Sequence, residues 1–184
     1  ALKPGAPLAF TYHHNKLDAY FAVGVAILDS GLTCSASLPC PAEMGGSIHI
    51  HGTTSSIVDT VFICRDQGHV PRQWLFESAD QLAAIVACDL AQLAEAGRKP
   101  TRGDTRCIIF GHLTRMAVWN LRKDWDGGLP TAEKLERFAQ ALTRLADPEQ
   151  LLDQLESGKR ISAPAVPLFA TAESNERIRD AVAF

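Results

Sequence analysis

Apolar positions come in short runs up to residue 66 and at spacings of three and four from there to about residue 160, so the chain changes character once along its length. Pro7-Leu8-Ala9-Phe10-Thr11-Tyr12 is apolar on both faces and predicts a central strand covered by helices on both sides. Leu17 to Asp29 predicts a helix, with Asn15 as N-cap and Gly31 as its stop. Leu32 to Leu38 reads as a second strand, ended by the proline- and glycine-bearing stretch Pro39 to Gly46. Ser47 to His51 alternates, with Ile48 and Ile50 on one face and His49 and His51 on the other. Ile57 to Cys64 is the strongest β-former. With no helix between it and residues 32–38, the two runs predict an antiparallel pair.

Beyond Arg65 the pattern is helical. Glu77 to Ala96 carries Leu82, Ile85, Val86, Leu90 and Leu93 on one face and is closed by Gly97. Asp104 is a cap for a second helix through Leu121, although Arg106 to Phe110 alone also fits a strand. Pro130 opens a third helix to Leu145, and Asp147-Pro148-Glu149 a fourth to Leu155. The expected organisation is therefore α/β: a strand-rich part over 1–66, a helical region over 67–160 and an extended tail over 161–184.

Composition adds bounds. The 184 residues, 46% hydrophobic and 21% charged with net charge −3, suffice for one cored domain and exclude collagen, disordered and disulfide mini-protein classes. No apolar run reaches the roughly 18 residues of a membrane-spanning helix, so no membrane role is expected. The first residues show no export signal, and a cytoplasmic setting follows as the expectation. Cys34, Cys40, Cys64, Cys88 and Cys107 are irregularly spaced among apolar neighbours, as reduced thiols are. Charge is uneven: Arg98, Lys99, Arg102, Arg106, Arg115, Arg122 and Lys123 face the single acid Asp104 within 97–123, while the chain after Asp124 is acidic. Such a basic segment can hold a polyanion, or can be the solvated face of a helix.

A buried strand at residue 7 requires neighbours on both edges, more than this chain offers, so the β part reads as the closing end of a larger parallel sheet. Three stretches carry a resemblance: LKPGAPLAFTYHHNKLDAYFAVGVAILDSGL, then SLPCPAEMGGSIHIHGTTSSIVDTVFICR, then GDTRCIIFGHLTRMAVWNLRKDW followed by LPTAEKL. Together, over about residues 1–145, they resemble the C-terminal part of adenine-specific DNA methylase-like proteins. That resemblance implies a partial Rossmann-like methyltransferase sheet ending in an antiparallel hairpin, made by residues 32–38 and 57–64, followed by a helical C-terminal region. It implies S-adenosylmethionine as cofactor of the complete protein. The family's Asp/Asn-Pro-Pro-Tyr/Phe tetrapeptide does not occur here, nor does its glycine-rich cofactor loop. The chain alone is thus expected to bind no cofactor and to methylate nothing, with a missing N-terminal portion or companion subunit supplying both.

Candidate site residues follow. Tyr12, His13 and His14 lie at the carboxyl end of the first strand, the edge where such sheets bind ligands, and are candidates for holding a flipped base. Glu43, His49 and His51 are substrate-binding candidates on the hairpin arm that the family places beside the nucleotide. An HxH pair on a strand also suits a metal, with a third ligand from Glu43, His13 or His14; the primary expectation is no metal. Arg98, Lys99, Arg102 and Arg106, read as a loop bent by Pro100 and Gly103, suit DNA phosphates. Trp119 and Trp125 read as core, and Cys64 and Cys107 as inert. Two other readings stay open: a non-catalytic module binding protein or nucleic acid through these basic residues or a sheet edge, which also permits homo-oligomers, and a small metal-dependent enzyme on His49, His51 and Glu43.

Overall fold

The computed structural model describes residues 2–41, 56–66 and 78–157. Over these residues the chain forms β1 (Leu8–Tyr12), α1 (Leu17–Asp29), β2 (Thr33–Pro41), β3 (Val58–Arg65), α2 (Ala79–Glu95), α3 (Arg102–Leu121), α4 (Thr131–Leu145) and α5 (Pro148–Glu156). The expectations for Ser47 to His51 and for the tail 161–184 fall outside the described residues.

β3 lies between the other two strands and is antiparallel to both, so β1 and β2 run parallel to each other, joined by α1 as crossover. The expected antiparallel pairing of the second and third strands is therefore present. Two expectations are corrected. β1 does not sit centrally with both faces covered: among the described residues it pairs with β3 alone, and Leu8 is 40% exposed. β2 does not stop before Pro39 but continues to Pro41, which an edge strand tolerates because a missing N–H on its outer side costs no ladder bond.

The sheet has two unlike faces. Val58, Thr60, Phe62 and Cys64 of β3 are buried under the helices, while Asp59, Val61, Ile63 and Arg65 alternate with them and are half-exposed. On the covered face Phe10 pairs with Phe62, and Tyr20 of α1 wedges between Tyr12, Phe62 and Phe110 of α3. On the other face Ala9 and Thr11 are exposed, with Ala36, Leu38, Val61 and Ile63 half-buried beside them.

Helix α3 is the axis of the fold. Apart from Arg106, it is buried from Gly103 to Val118, enclosed by the sheet, α1, α2, α4 and α5. A helix surrounded on every side has no polar face to display a 3.6 period, which is why Arg106 to Phe110 also fits a strand pattern. Gly111 lets α3 approach the sheet: a Cβ there would lie 2.5 Å from Ser37 Oγ and 2.7 Å from Thr60 Cγ2. Buried within this assembly, His112 Nε2 and Asp89 Oδ2 of α2 lie 2.7 Å apart.

Helix ends follow local chemistry. After α1, Leu32 N–H donates to Ile27 O and Gly31 N–H to Leu28 O, with Gly31 at φ 76°, the left-handed closure that glycine permits. Gly97 closes α2 likewise, Arg98 N–H donating to Leu93 O. At the start of α1 the cap position belongs to Lys16, and no side chain caps it; Asn15 does not fill this role. The cap of α3 is Thr101, with Asp104 completing a capping box, so α3 begins at Arg102. Ser78 caps α2 and Asp147 caps α5.

Candidate functional site

The carboxyl ends of the parallel strands β1 and β2 lie on the same side of the sheet, flanking the start of β3. Open α/β sheets place their ligands outside this edge. Tyr12, His13 and His14 stand there, as expected from the sequence, and the structure gives each a distinct setting.

Tyr12 is held against α1. Its hydroxyl donates to Ala19 O at 3.2 Å, and its ring meets Tyr20 edge-on with centroids 5.1 Å apart. Partial burial pushes its hydroxyl pKa up. Tyr20, wholly buried with its hydroxyl 3.5 Å from Thr60 Oγ1, is pushed up further by the same cause. Neither phenol is a proton carrier near neutral pH.

The two histidines have different neighbours. His14 Nδ1 accepts the Lys16 backbone N–H at 3.0 Å and lies 3.4 Å from the Lys16 carbonyl. His13 Nδ1 lies 3.1 Å from Val58 O and 3.4 Å from Asp59 Oδ1. Both neighbours only accept, which places the proton on Nδ1 and leaves Nε2 of a neutral His13 ring as an acceptor.

Asp59 is a residue that sequence reasoning misses. It is absorbed into the β run from Ile57 to Cys64, yet it is the one charged side chain in that run, placed on the half-exposed face of β3. Strand register then aligns Cys40 of β2 with Asp59, and His13, which follows Tyr12 opposite Thr60, reaches Asp59 from the other side. Cys40 is an exposed thiol, and Cys34, Cys64 and Cys107 are buried. Burial pushes the Cys34 and Cys107 thiols up, while a hydrogen bond from Cys34 draws Cys64 down.

A second missed role belongs to Asp104, a fully buried carboxylate expected only as a cap. Oδ1 accepts from Ser56 Oγ at 2.8 Å, from Ile57 N–H at 2.8 Å and from Val58 N–H at 3.1 Å, while Oδ2 accepts from Thr101 N–H at 2.7 Å and from Thr101 Oγ1 at 2.9 Å. It thereby ties α3 to the first residues of β3, whose Val58 carbonyl receives His13.

Glu43, His49 and His51 lie outside the described residues. Among the described residues no group of three His, Cys, Asp or Glu side chains is arranged to hold a metal ion.

The basic candidates separate into two pairs. Arg98 and Lys99 are exposed in the connection between α2 and α3. Arg102 and Arg106 are not in that loop but on the first turns of α3, facing α5. Arg106 binds both carboxylate oxygens of Glu149, at 3.0 and 3.1 Å. Arg102 is bonded to Glu156 and lies 3.0 Å from Asp153 and 3.7 Å from Glu149; these acids, Asp153 first, raise its pKa. An acidic row on α5 therefore holds the two guanidinium groups, and a phosphate must displace carboxylates to reach them.

Trp119 is half-buried against the core, and Trp125 donates from Nε1 to Asp29 Oδ1 at 2.9 Å, so both serve packing, as read. No helix among the described residues is long and apolar enough to cross a membrane. No family model matches the chain, and no curated protein or solved structure gives a match to it.

Proposed function

We propose that the chain is the C-terminal portion, or a split subunit, of an S-adenosylmethionine-dependent adenine-specific DNA methyltransferase, with catalytic and cofactor residues supplied by another portion or a companion subunit. The observation that carries this reading is the form of the sheet. A parallel β1-α1-β2 unit is closed by an antiparallel β2/β3 pair, as the resemblance implies for the end of a methyltransferase sheet. At the other side β1 offers an edge unpaired among the described residues, with no charge or proline in Leu8–Tyr12 to guard it. Beside that edge the half-exposed face of Ala9, Ala36, Leu38, Val61 and Ile63 lacks a covering helix among the described residues. An edge and a face of this kind suit further strands and helices of the same fold.

In this reading His13 and Asp59 stand at the ligand edge, and target DNA is presented to the carboxyl ends of the strands. The test is calorimetry with S-adenosylmethionine on this chain alone and on the chain extended by the coding sequence preceding Ala1 in its gene. Binding by the extended protein and none by the chain alone is expected. Absence of binding by the extended protein overturns the reading.

A further inference from the structure

The sheet brings two cysteines together. Strand register sets Cys34 of β2 directly opposite Cys64 of β3, and both side chains are buried on the face that the helices cover. Directly opposite residues of an antiparallel pair have Cα atoms about 4.5 or 5.5 Å apart, and both spacings fall within the roughly 4.4 to 6.8 Å that a disulfide spans. Both thiols are free and hydrogen-bonded to each other, and Cys34 Sγ also lies 3.2 Å from Ala36 O. Cys107 is equally buried, but it stands on α3 near the His14 carbonyl, with no cysteine opposite it among the described residues. Apolar sequence neighbours mark Cys64 as inert because they carry no record of the thiol across the sheet.

We infer that Cys34 and Cys64 form a reversible dithiol–disulfide pair, closed by hydrogen peroxide and reopened by a small thiol. In the first step the Cys64 thiolate attacks the peroxide: the O–O bond breaks, Cys64 keeps one oxygen as a sulfenic acid, and the other leaves as hydroxide and takes up the proton that the thiol released. Cys34 then attacks the Cys64 sulfur, so that the S–S bond forms, the S–O bond breaks and a second water leaves. The two sulfurs together lose two electrons and the peroxide gains them. Cys64 goes first because the hydrogen bond from Cys34 favours its thiolate, whereas burial holds Cys34 in the thiol form.

Access comes from the position of the pair. Cys34 is 1% and Cys64 0% exposed, yet only one register pair, the half-exposed Thr33 and Arg65, separates them from the end of the β2/β3 ladder. β2 is an edge strand among the described residues, and parting of its terminal pairs admits a small oxidant without unfolding the helices. The closed bond makes a covalent loop of residues 35–63 and fixes the start of β2 to the middle strand. This inference does not depend on the methyltransferase reading.

The test uses the full chain carrying Cys40→Ser and Cys88→Ser, which removes the exposed and half-exposed thiols. It is treated with hydrogen peroxide under native conditions, alkylated with iodoacetamide in denaturant and digested for mass spectrometry. Expected are a monomer lighter by two hydrogen atoms, a peptide linking Cys34 to Cys64, and Cys107 recovered alkylated. The thermal unfolding midpoint should rise by about 10 °C, the effect of closing a loop of about 30 residues, and dithiothreitol should return both mass and midpoint. Alkylation of both Cys34 and Cys64 after oxidation, a sulfinic acid at either in place of the bond, linkage through Cys107 or between two chains, or a midpoint that does not rise each overturns the proposal.

Discussion

The carboxylate of Asp104, three residues into the cap of α3, accepts the backbone N–H of Val58 at 3.1 Å, and the carbonyl of the same Val58 lies 3.1 Å from His13 Nδ1. One residue, Val58, through its N–H and its C=O, thus connects the start of the central helix to the candidate ligand edge. Structural and functional consequences of substitutions near it follow from this connection.

Asp104→Ala removes an acceptor shared by five donors, leaves the half-buried Ile57 N–H without this partner and leaves the Val58 N–H with Ser56 Oγ alone, at 3.2 Å. The loss is expected at about 3 to 5 kcal/mol, from unpaired buried polar groups and a lost cap. Urea unfolding followed by circular dichroism measures it, and a loss below that of an ordinary surface substitution would show that water replaces the carboxylate.

Gly111→Ala tests the close approach of α3 to the sheet. Helix propensity alone favours alanine by about 1 kcal/mol. Against this, the new methyl group meets Ser37 Oγ and Thr60 Cγ2 well inside contact distance, and overpacking costs about 1 to 3 kcal/mol. Net destabilisation is expected. Gly127→Ala, where the nearest atom lies 3.8 Å away, should change little. Thermal unfolding of the two variants side by side gives the answer, and a stabilised Gly111→Ala protein contradicts the packing.

Acid sensitivity follows from Asp29. Its carboxylate takes hydrogen bonds from Lys134 Nζ and Trp125 Nε1, each at 2.9 Å, and these hold its pKa below the ordinary value of 3.8, the Lys134 bond being the larger cause. A folded-state pKa below the unfolded one means stability that is fully present above 3.8 and lost as pH falls through the depressed folded value. Asp29→Asn should therefore be less stable than the wild type at neutral pH, and the gap should close as pH drops below about 4. Unfolding midpoints measured across this range decide it; a gap that widens in acid removes the linkage.

Under the proposed function, the pairing of α3 with α5 separates the basic residues expected to contact DNA from those already held by acids. Substituting Glu149 by Gln should lower the unfolding midpoint slightly, by an amount that shrinks as salt is added, since the pairs lie in solvent. In titrations of DNA binding against salt, Arg98→Gln and Lys99→Gln should each reduce the slope by about 1, whereas Arg106→Gln leaves it unchanged. An equal effect of Arg106→Gln would show that DNA displaces Glu149.

Much of the element list was legible before any coordinates. Runs of β-formers placed the strands at 8–12, 33–41 and 58–65 to within a few residues, and Gly31 and Gly97 marked helix ends because only a residue without a side chain takes their positive φ easily. The Thr101 cap was harder to see, since Asp104 fits a cap position equally well by residue type. The candidate site was legible in part. His13 could be assigned to the carboxyl end of β1 by chain order, but its partner Asp59 lies 46 residues away, and only the strand register brings the two together.

The sequence by itself determined local conformation: where strands and helices form, which residues stop them, and that residues 32–38 and 57–64 turn back on each other. These depend on interactions between near neighbours and on side-chain type. Tertiary structure alone decided that β3 enters between β1 and β2, that α3 is enclosed on all sides, and that Arg102 and Arg106 meet acids 43 to 54 residues away. It also decided that His13 and Asp59 share one edge. Those relationships come from burying apolar faces against one another, and such burial is non-directional along the chain, so no local pattern records which distant polar groups it brings into contact.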